Sequence, residues 1–453
     1  MTRVSWRIYA AVAIALALLG VGHWVWAVTL RGPVLYGEGA VAHAAILARS
    51  ASEYELGDAL FVAANYPPLY FRLAGLGDPF VTGRVVSIAA TLFVALAIAW
   101  RARAAGRLVA ATIAIAWLGS VPVLQWGPAV KPDLLALALT VGAVVALERS
   151  RPLYVVAGVL LGLAAVAKPT ALLPAAMMWV FVARGHPRAA LVSVASAGAS
   201  ALVVGVATGG ASRLAWTHVV EWNALPWRPE LAAPLVLIAI IVLLVPIVTM
   251  LVTRPSVTIV TAYAAGAVAI LVLGGREGAT INYFLDLSAA LALGLGGRAP
   301  RLGGGAAYPI AGVAQALVAV LVLNPFGVVP GLPQTTGRWG DPDRIAAIRD
   351  VPGTLLVEDS GLLVATGREP LVDDLFLWSR NVATGRPFPE GERVVAAVRQ
   401  GGFDAIASEV DLTRIADAPG FEQQRWHADL VAAVLERYRP STQRGTIFIY
   451  TRR

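Results

Sequence analysis

The sequence contains no cysteine among its 453 residues, and it contains only two lysines, Lys131 and Lys168. The absence of cysteine excludes disulfides, cysteine-ligated zinc, iron–sulfur clusters and thiol nucleophiles. Charged residues are also scarce, at 14% of the chain against about 25% in an ordinary soluble protein. An ordinary soluble protein of two or three domains is therefore excluded. Because lysine is so scarce, Lys131 and Lys168 are candidate functional residues.

Long apolar stretches take the place of charge. Hydrophobic residues make up 58% of the chain, and the mean hydropathy is +0.70. Because about 20 apolar residues cross the hydrocarbon core as a helix, these runs predict a polytopic α-helical membrane protein with about 11 transmembrane helices. The first run is too long for a cleaved signal peptide. The predicted spans are 8–30, 81–100, 107–125, 132–147, 152–167, 169–183, 188–207, 232–252, 256–274, 282–297 and 306–324.

The net charge of +8 comes from arginines in alternate loops. If the N-terminus is cytoplasmic, the cytoplasmic segments hold twelve basic residues against one acid, Glu148. Cytoplasmic loops of membrane proteins are enriched in Lys and Arg. The charge therefore predicts a multi-pass protein of the bacterial plasma membrane with a cytoplasmic N-terminus, and it does not indicate a nucleic-acid partner.

The chain changes character after Asn324, where it becomes charged and soluble-looking. We predict a transmembrane domain over 1–324, with a long external loop at 31–80, and a soluble domain over 325–453. An odd number of spans makes the second domain extracytoplasmic. A small α/β fold is predicted for it, from strand-like runs at 353–358, 404–408 and 446–450 and helical runs at about 341–350, 390–400 and 426–438.

Ionisable side chains within or beside spans are costly, so each is a functional hypothesis. Glu38 begins an amphipathic helix in the first external loop, and this helix is predicted to lie at the membrane interface. There Glu38 would act as a general base or cation ligand or simply stabilise the helix start. Lys131 and Asp133 open the fourth span. They would form either an interfacial ion pair or one side of an external cavity, and the sequence does not separate these readings.

Lys168 lies between two short predicted spans. Each span would be about 23 Å long, whereas the hydrocarbon core is about 30 Å thick. The turn is therefore predicted to lie below the outer surface, where a lysine would suit an anionic ligand such as a phosphate, unless it merely snorkels. Asn282 and Asp286 share one helical face. Arg84 lies one turn into the second span, and Arg276 and Asn223 lie in external loops. Transport, lipid-linked transfer and signalling all fit such a polar cavity.

The order of these motifs resembles the GT-C superfamily of integral-membrane glycosyltransferases, in its protein-mannosyltransferase-like and aminoarabinose-transferase-like bacterial branch. Each motif is weak alone, but their order and spacing over about 30–300 form a specific set. Many members carry two adjacent acids in the first loop, whereas here Gly37 occupies the first of these positions. The matching segments are Leu35 to Gly39, Asn65 to Tyr70, Gly83 to Ser87, Lys131 to Asp133, Lys168 to Thr170 and Asn282 to Asp286.

The resemblance implies transfer of a hexose or pentose from a polyprenyl-phosphate donor to an envelope glycan, lipid or protein on the outer face. It implies Glu38 or Asp133 as the catalytic carboxylate. It assigns no metal ligand, and whether the reaction needs a divalent cation stays open. The lipid tail would lie among the spans, in contact with membrane lipids. The implied donor-phosphate ligands are Lys168, Arg84, Lys131 and Arg276, and the implied substrate-binding residues are Asn65, Tyr66, Asn223, Asn282, Tyr283 and Asp286.

Two alternatives from other classes remain. A transporter or flippase for lipid-linked or small polar solutes would contain repeat-related halves with broken helices, and the sequence shows no internal repeat. A non-catalytic binder of lipid-linked sugars would account for the missing first acid at Gly37.

Overall fold

The computed structural model describes residues 24–252, 256–298, 342–418 and 420–453, with scattered positions between 11 and 22. The chain divides into two compact units. The helical unit comprises Met1–Val28, Arg84–Thr208 and Trp227–Thr336, and the mixed unit comprises Thr29–Gly83, Gly209–Pro226 and Gly337–Arg453. The predicted span 306–324 and the first residues of the span 8–30 lie outside the described residues.

Apolar helices form most of the described part of the helical unit. Pro79, Pro187 and Pro229 each begin a helix, a position where the missing N–H of proline costs no hydrogen bond. The α-helices are Pro79–Ala102, Arg107–Leu118, Val121–Trp126, Asp133–Leu147, Tyr154–Ala167, Leu172–Gly185, Pro187–Ala207, Pro229–Val242, Leu244–Val252, Ile259–Val272 and Leu285–Gly296. Short 3₁₀ segments at Arg103–Ala105, Pro169–Ala171, Leu273–Gly275 and Ile281–Phe284 connect several of them.

Two of these helical stretches, Pro79–Ala105 and Pro187–Ala207, are long and apolar enough to cross a membrane. A third span exists if Pro229–Val242 and Leu244–Val252 count as one, although they bend by 73°. Pro246 accounts for the break, because it lacks the N–H that an unbroken helix would donate to residue 242. The other apolar helices are shorter, so the count of eleven spans stays a prediction.

Glycines allow two helices of this unit to approach closely. A Cβ atom on Gly158 would lie 2.2 Å from the Ser193 carbonyl oxygen, and one on Gly162 would lie 2.2 Å from that of Ala197. Helix Tyr154–Ala167 therefore packs against helix Pro187–Ala207 through the small-residue contact that is typical of membrane helices. The second helix leaves Leu191 exposed, as a lipid-facing surface would.

A four-stranded sheet lies in the mixed unit. Its strands are β1 (Leu355–Val357), β2 (Ala405–Ser408), β3 (Tyr438–Arg444) and β4 (Ile447–Arg452), in the order β1-β2-β4-β3. β1 and β2 are parallel, whereas β4 runs antiparallel to both β2 and β3. Three of the strands overlap the predicted runs. The sequence reading missed β3, because only its first residue, Tyr438, is buried and it lacks the alternation of a half-buried strand.

Helices from three chain segments complete the mixed unit. Phe61, Trp222 and Trp378 come from different segments and share one hydrophobic core. The first external loop is therefore an integral part of this unit, and its helix Glu38–Leu47 is buried from Glu38 to Ala45 where we predicted an amphipathic interfacial helix. Whether residues 325–453 form a domain by themselves stays a prediction. The α-helices are Glu38–Leu47, Pro68–Ala74, Arg213–Trp216, Pro342–Arg349, Gly361–Ala365, Leu375–Ala383, Pro389–Arg399, Gly420–Gln423 and Ala428–Arg437.

A buried ionic cluster also joins segments within the mixed unit. The Glu358 carboxylate accepts hydrogen bonds from Arg425 at 2.8 Å and from the Trp426 indole at 2.9 Å. The Arg425 guanidinium lies 4.0 Å from the centre of the Tyr36 ring, a cation–π geometry. The pKa of Arg425 is raised: burial opposes this shift, and Glu358 and Tyr36 more than offset the burial. The cluster fixes Tyr36, two residues before Glu38, against the C-terminal residues.

Candidate active site

A polar pocket lies within the helical unit. It is formed by the start of helix Asp133–Leu147, the turn after helix Tyr154–Ala167 and the start of helix Leu285–Gly296. Each of these three chain segments contributes polar side chains at a helix terminus, where backbone groups lack helical partners. The polar side chains that line it are Asp133, Lys168, Thr170, Asn282 and Asp286. Four of these were predicted from the sequence as site residues.

Asp133 is the most buried polar group of this pocket. Pro132 precedes it, so the carboxylate lies in the first helical turn, where the helix dipole favours a negative charge. Its Oδ1 atom accepts hydrogen bonds from Lys168 Nζ at 2.5 Å and from Asn282 Nδ2 at 2.7 Å. No hydrogen-bond donor among the described residues reaches its Oδ2 atom. One carboxylate oxygen is thus held in place, and the other is buried without a hydrogen-bond donor among the described residues.

Lys168 occupies the break between two helices. Its backbone is extended, with φ −153° and ψ 120°, as expected of a residue that precedes a proline. The ammonium forms its ion pair with Asp133 and lies 5.3 Å from the centre of the Tyr283 ring. Only 12% of the Lys168 side chain is exposed. The structure therefore places this cation in a protein-lined pocket.

The 276–286 segment supports the pocket through further hydrogen bonds. Arg276 Nη2 donates to the Tyr283 hydroxyl at 3.2 Å, and the Tyr263 hydroxyl donates to Asp286 Oδ1 at 3.1 Å. Sequence reasoning missed Tyr263, which looked like an ordinary aromatic residue of an apolar helix. A signal was present, because a buried tyrosine hydroxyl normally has a hydrogen-bond partner.

The other predicted phosphate ligands are not among the pocket-lining residues. Arg84 is fully buried in helix Pro79–Ala102. The Ser87 hydroxyl, one turn later, donates to the carbonyl oxygens of Ala129 at 2.7 Å and Lys131 at 3.3 Å. Ser87 therefore fixes the turn that leads into Asp133. Arg276 reaches the pocket indirectly, through Tyr283.

Glu38 lies in the mixed unit and is fully buried at the first turn of helix Glu38–Leu47. Its Oε2 atom accepts a hydrogen bond from the Val34 N–H at 2.7 Å. Gly37, at the position where many GT-C members carry an acid, has a φ of +77°. Glycine adopts this left-handed conformation freely, whereas a residue with a side chain is strained there.

The predicted substrate-binding residues Asn65 and Asn223 meet within the mixed unit. Asn223 Nδ2 donates to the carbonyl oxygens of Asn65 and His218, each at 3.0 Å. The Asn65 Oδ1 atom is buried, and no described residue donates to it. Tyr66 follows, and its carbonyl oxygen accepts a hydrogen bond from the Tyr54 hydroxyl at 2.9 Å. Two distant motifs of the sequence therefore form one polar cluster.

His218 belongs to the same cluster and was not predicted. Its ring stacks on Trp222, with centroids 4.1 Å apart, and meets the edge of Tyr54. Burial lowers the pKa of His218 to about 4, so the ring is neutral at physiological pH. It lies in a π-helical segment, Thr217–Glu221, a rare geometry that often occurs at functional sites and that no sequence pattern revealed.

No group of three histidine, aspartate or glutamate side chains suited to holding a metal ion occurs among the residues that the structure describes. The nearest arrangement is His43, which lies 3.1 Å from Asp373 through Nδ1 and 3.8 Å from Glu369 through Nε2. These contacts use opposite nitrogens of the ring, so they do not converge on one point.

The fold resembles that of GT-C membrane enzymes. The chain is similar to the crystal structure of ArnT from Cupriavidus metallidurans bound to undecaprenyl phosphate, with a TM-score of 0.58 and 12% identity, over 99% of this chain and 98% of that one. It is also similar to the apo oligosaccharyltransferase of Archaeoglobus fulgidus, with a TM-score of 0.51 and 13% identity, over 98% of this chain and 74% of that one.

The sequence itself gives a more specific match. Residues 61–276 match the family model of Glycosyltransferase family 87, whereas no curated protein matches the chain. The matched range includes Lys131, Asp133 and Lys168. Together with the fold, this match confirms the resemblance to GT-C glycosyltransferases that the motifs predicted.

Proposed function

We propose that this protein transfers a hexose or pentose from a polyprenyl-phosphate donor to a glycan, lipid or protein acceptor of the cell envelope. The observation that carries the proposal is the buried Lys168 in a polar pocket, within a chain that has the GT-C fold and the family 87 match. The undecaprenyl phosphate bound to ArnT supports a polyprenyl-phosphate donor. The donor lies in the membrane and carries its own activation, so the reaction needs no nucleotide outside the cell.

The proposed chemistry is a displacement at the anomeric carbon of the sugar. The acceptor hydroxyl oxygen forms the new bond to this carbon as the bond from the carbon to the phosphate oxygen breaks, with inversion of configuration. The hydroxyl proton passes to a carboxylate, for which we propose Glu38. The polyprenyl phosphate leaves with the bonding electron pair, and the Lys168 ammonium stabilises the charge that develops on it.

We further propose the full topology that the charge pattern indicates. Eleven spans would place the N-terminus in the cytoplasm of a bacterium and residues 325–453 on the outer face of the plasma membrane. The arginine-rich loops support this orientation. It puts the first external loop, with Glu38, on the side where polyprenyl-linked sugars meet envelope acceptors.

An activity assay tests the proposal. Full-length protein in lipid nanodiscs would be incubated with radiolabelled undecaprenyl-phosphate-linked sugars and envelope acceptor fractions, and labelled product would be measured. We expect turnover with at least one donor. Absence of turnover with every donor, combined with solute uptake by proteoliposomes, would favour a transporter. Donor binding without either activity would favour a non-catalytic binder.

A substitution of Glu38 tests the proposed base. Glu38→Gln removes the proton acceptor but keeps the side-chain size, so we expect kcat to fall at least 100-fold, in the range of general-base effects of about 10²–10⁴, with donor binding retained. Glu55→Gln is the matched control, because Glu55 is an exposed carboxylate of the same loop. Unchanged turnover in Glu38→Gln would transfer the role of base to another acid.

A further inference from the structure

One oxygen of the Asp133 carboxylate lies buried without a donor. Only 2% of the Asp133 side chain is exposed, and no described residue donates to Oδ2, although Oδ1 accepts two hydrogen bonds. Leaving a buried acceptor unsatisfied costs its full desolvation penalty. Because Asp133 lines the pocket, a ligand with a hydrogen-bond donor at this point would remove that penalty.

The charged groups of the pocket narrow the class of ligand. Its lining contains one cation, Lys168, and two carboxylates, Asp133 and Asp286. The two carboxylates favour neutral hydrogen-bond donors beside Asp133 Oδ2. A sugar, with several hydroxyl donors, has this chemistry. The ammonium of Lys168, although paired with Asp133, keeps N–H groups for the phosphate of the same lipid-linked donor.

We infer that this pocket holds the sugar of the lipid-linked donor, and that Asp133 Oδ2 accepts a hydrogen bond from one of its hydroxyls. The inference rests on the proposed function and assigns Asp133 to substrate recognition, whereas the sequence made it a candidate catalytic carboxylate. Lys168 and Asn282 are positioning residues for this contact, because both hold Oδ1. The sugar is bonded directly to the phosphate in such donors, so a sugar beside Lys168 places that phosphate near the same ammonium.

Asp133→Asn is the sharpest variant. Its single oxygen would still accept from Lys168 and Asn282, and its NH₂ group would take the place of Oδ2. The sugar hydroxyl would then meet a donor where it needs an acceptor. We expect a loss of about 10- to 100-fold in kcat/KM, in line with the strength of hydrogen bonds to charged groups, and expressed mainly as a higher KM.

A series of donors that each lack one hydroxyl identifies the contact. With undecaprenyl-phosphate hexoses deoxygenated at one position at a time, the wild type is expected to lose about tenfold or more in kcat/KM at one position. Asp133→Asn should show no additional loss at that position while keeping the losses at the others. Such non-additivity is the signature of two groups in direct contact. Leu173→Ala, a change outside the pocket lining, controls for general destabilisation.

The outcomes separate this inference from the proposed function. If the wild type transfers sugar but no single deoxygenation lowers kcat/KM, the inference is overturned and the glycosyltransferase proposal stands. The wild-type series alone decides this, even if Asp133→Asn fails to fold. A fall in kcat at unchanged KM and unchanged deoxy-sugar preference in Asp133→Asn would also overturn it, in favour of a base. If the wild type transfers no sugar from any donor, both proposals fail.

Discussion

Lys168 is the residue on which the proposed chemistry most depends. Its ammonium is nearly buried, paired with Asp133 and close to the Tyr283 ring. An ammonium has three N–H groups, so the pair with Asp133 leaves hydrogen-bonding capacity for a phosphate oxygen. A cation held in this way needs little reorganisation when negative charge develops on the leaving group.

Substitution of Lys168 should therefore abolish most of the activity. We expect Lys168→Met to lower kcat by about 10²–10³, the range for loss of one preorganised donor, and Lys168→Arg to retain part of it, because the charge remains. Arg151→Gln, at an exposed arginine, should behave like the wild type. Turnover of Lys168→Met within a few fold of the wild type would contradict the phosphate role. The assay is sugar transfer from the best undecaprenyl-phosphate donor.

His218 makes the stability of the mixed unit depend on pH. Burial lowers its pKa from 6.5 to about 4, so between these values the unfolded state binds a proton that the folded state does not. Stability is therefore complete above pH 6.5 and falls as the pH drops toward 4. The loss from pH 7 to pH 5 should be on the order of 2 kcal/mol.

Thermal unfolding of wild type and His218→Phe at pH 5 and pH 7 tests this expectation. Phenylalanine keeps an aromatic ring against Trp222 but has no group that titrates. The fall in melting temperature at pH 5 should be smaller in the variant than in the wild type. An equal fall in both proteins would show that other groups cause the pH dependence.

At the scale of elements, close helix packing depends on glycine. Helix Tyr154–Ala167 leaves no room for a side chain at Gly162, where a Cβ atom would lie 2.2 Å from both the Ala197 carbonyl oxygen and the Ser200 hydroxyl. The partner helix carries Gly198, around which nothing lies within 4 Å. The two glycines therefore form a matched pair, one in a tight contact and one in open space.

Gly162→Ala should destabilise the helical unit by about 1–3 kcal/mol, the usual cost of overpacking. Gly198→Ala should be neutral or stabilising by up to about 1 kcal/mol, because alanine is the better helix former. Melting temperatures of the two variants in the same nanodiscs measure the difference. If Gly198→Ala were the more destabilising of the two, the packing of these helices would differ from the one described. Since Lys168 directly follows helix Tyr154–Ala167, Gly162→Ala should also weaken donor binding.

At the scale of the whole molecule, the orientation in the membrane is open to a direct test. The chain has no cysteine, so a single introduced cysteine is the only thiol that a maleimide can modify. In intact cells, a membrane-impermeant maleimide should label Asp58→Cys, in the predicted first external loop. It should label Arg184→Cys, in a predicted cytoplasmic loop, only after lysis. The opposite pattern would reverse the topology and place the proposed reaction in the cytoplasm.

Much of the fold could be predicted because hydrophobic patterning is local. Uninterrupted apolar runs give helices, and prolines mark where they begin or bend, as at Pro187 and Pro246. Loop arginines predict the orientation of the chain in the membrane for the same reason, because each arginine acts close to its own span. Length and hydropathy did not determine which of the short apolar helices cross a membrane. Helices such as Asp133–Leu147 are too short to be identified as spans from these two properties.

The sequence by itself determined the class of protein and most of the polar residues around the pocket. It identified Lys168, Asp133, Asn282 and Asp286 one at a time, because a charge or amide beside an apolar run is conspicuous wherever it folds. It could not pair them. Lys168 and Asn282 both donate to Asp133, and because the three residues are far apart in the chain, only tertiary structure brings them together.

Tertiary structure alone also decided the roles of residues that have no local sequence signal. His218 and Tyr263 look ordinary in sequence, and their roles come from burial and from partners contributed by other segments. The same holds for the first external loop, which shares a core with C-terminal residues although its sequence suggested a surface helix. Burial is a property of the whole packed molecule, so no short stretch of sequence specifies it.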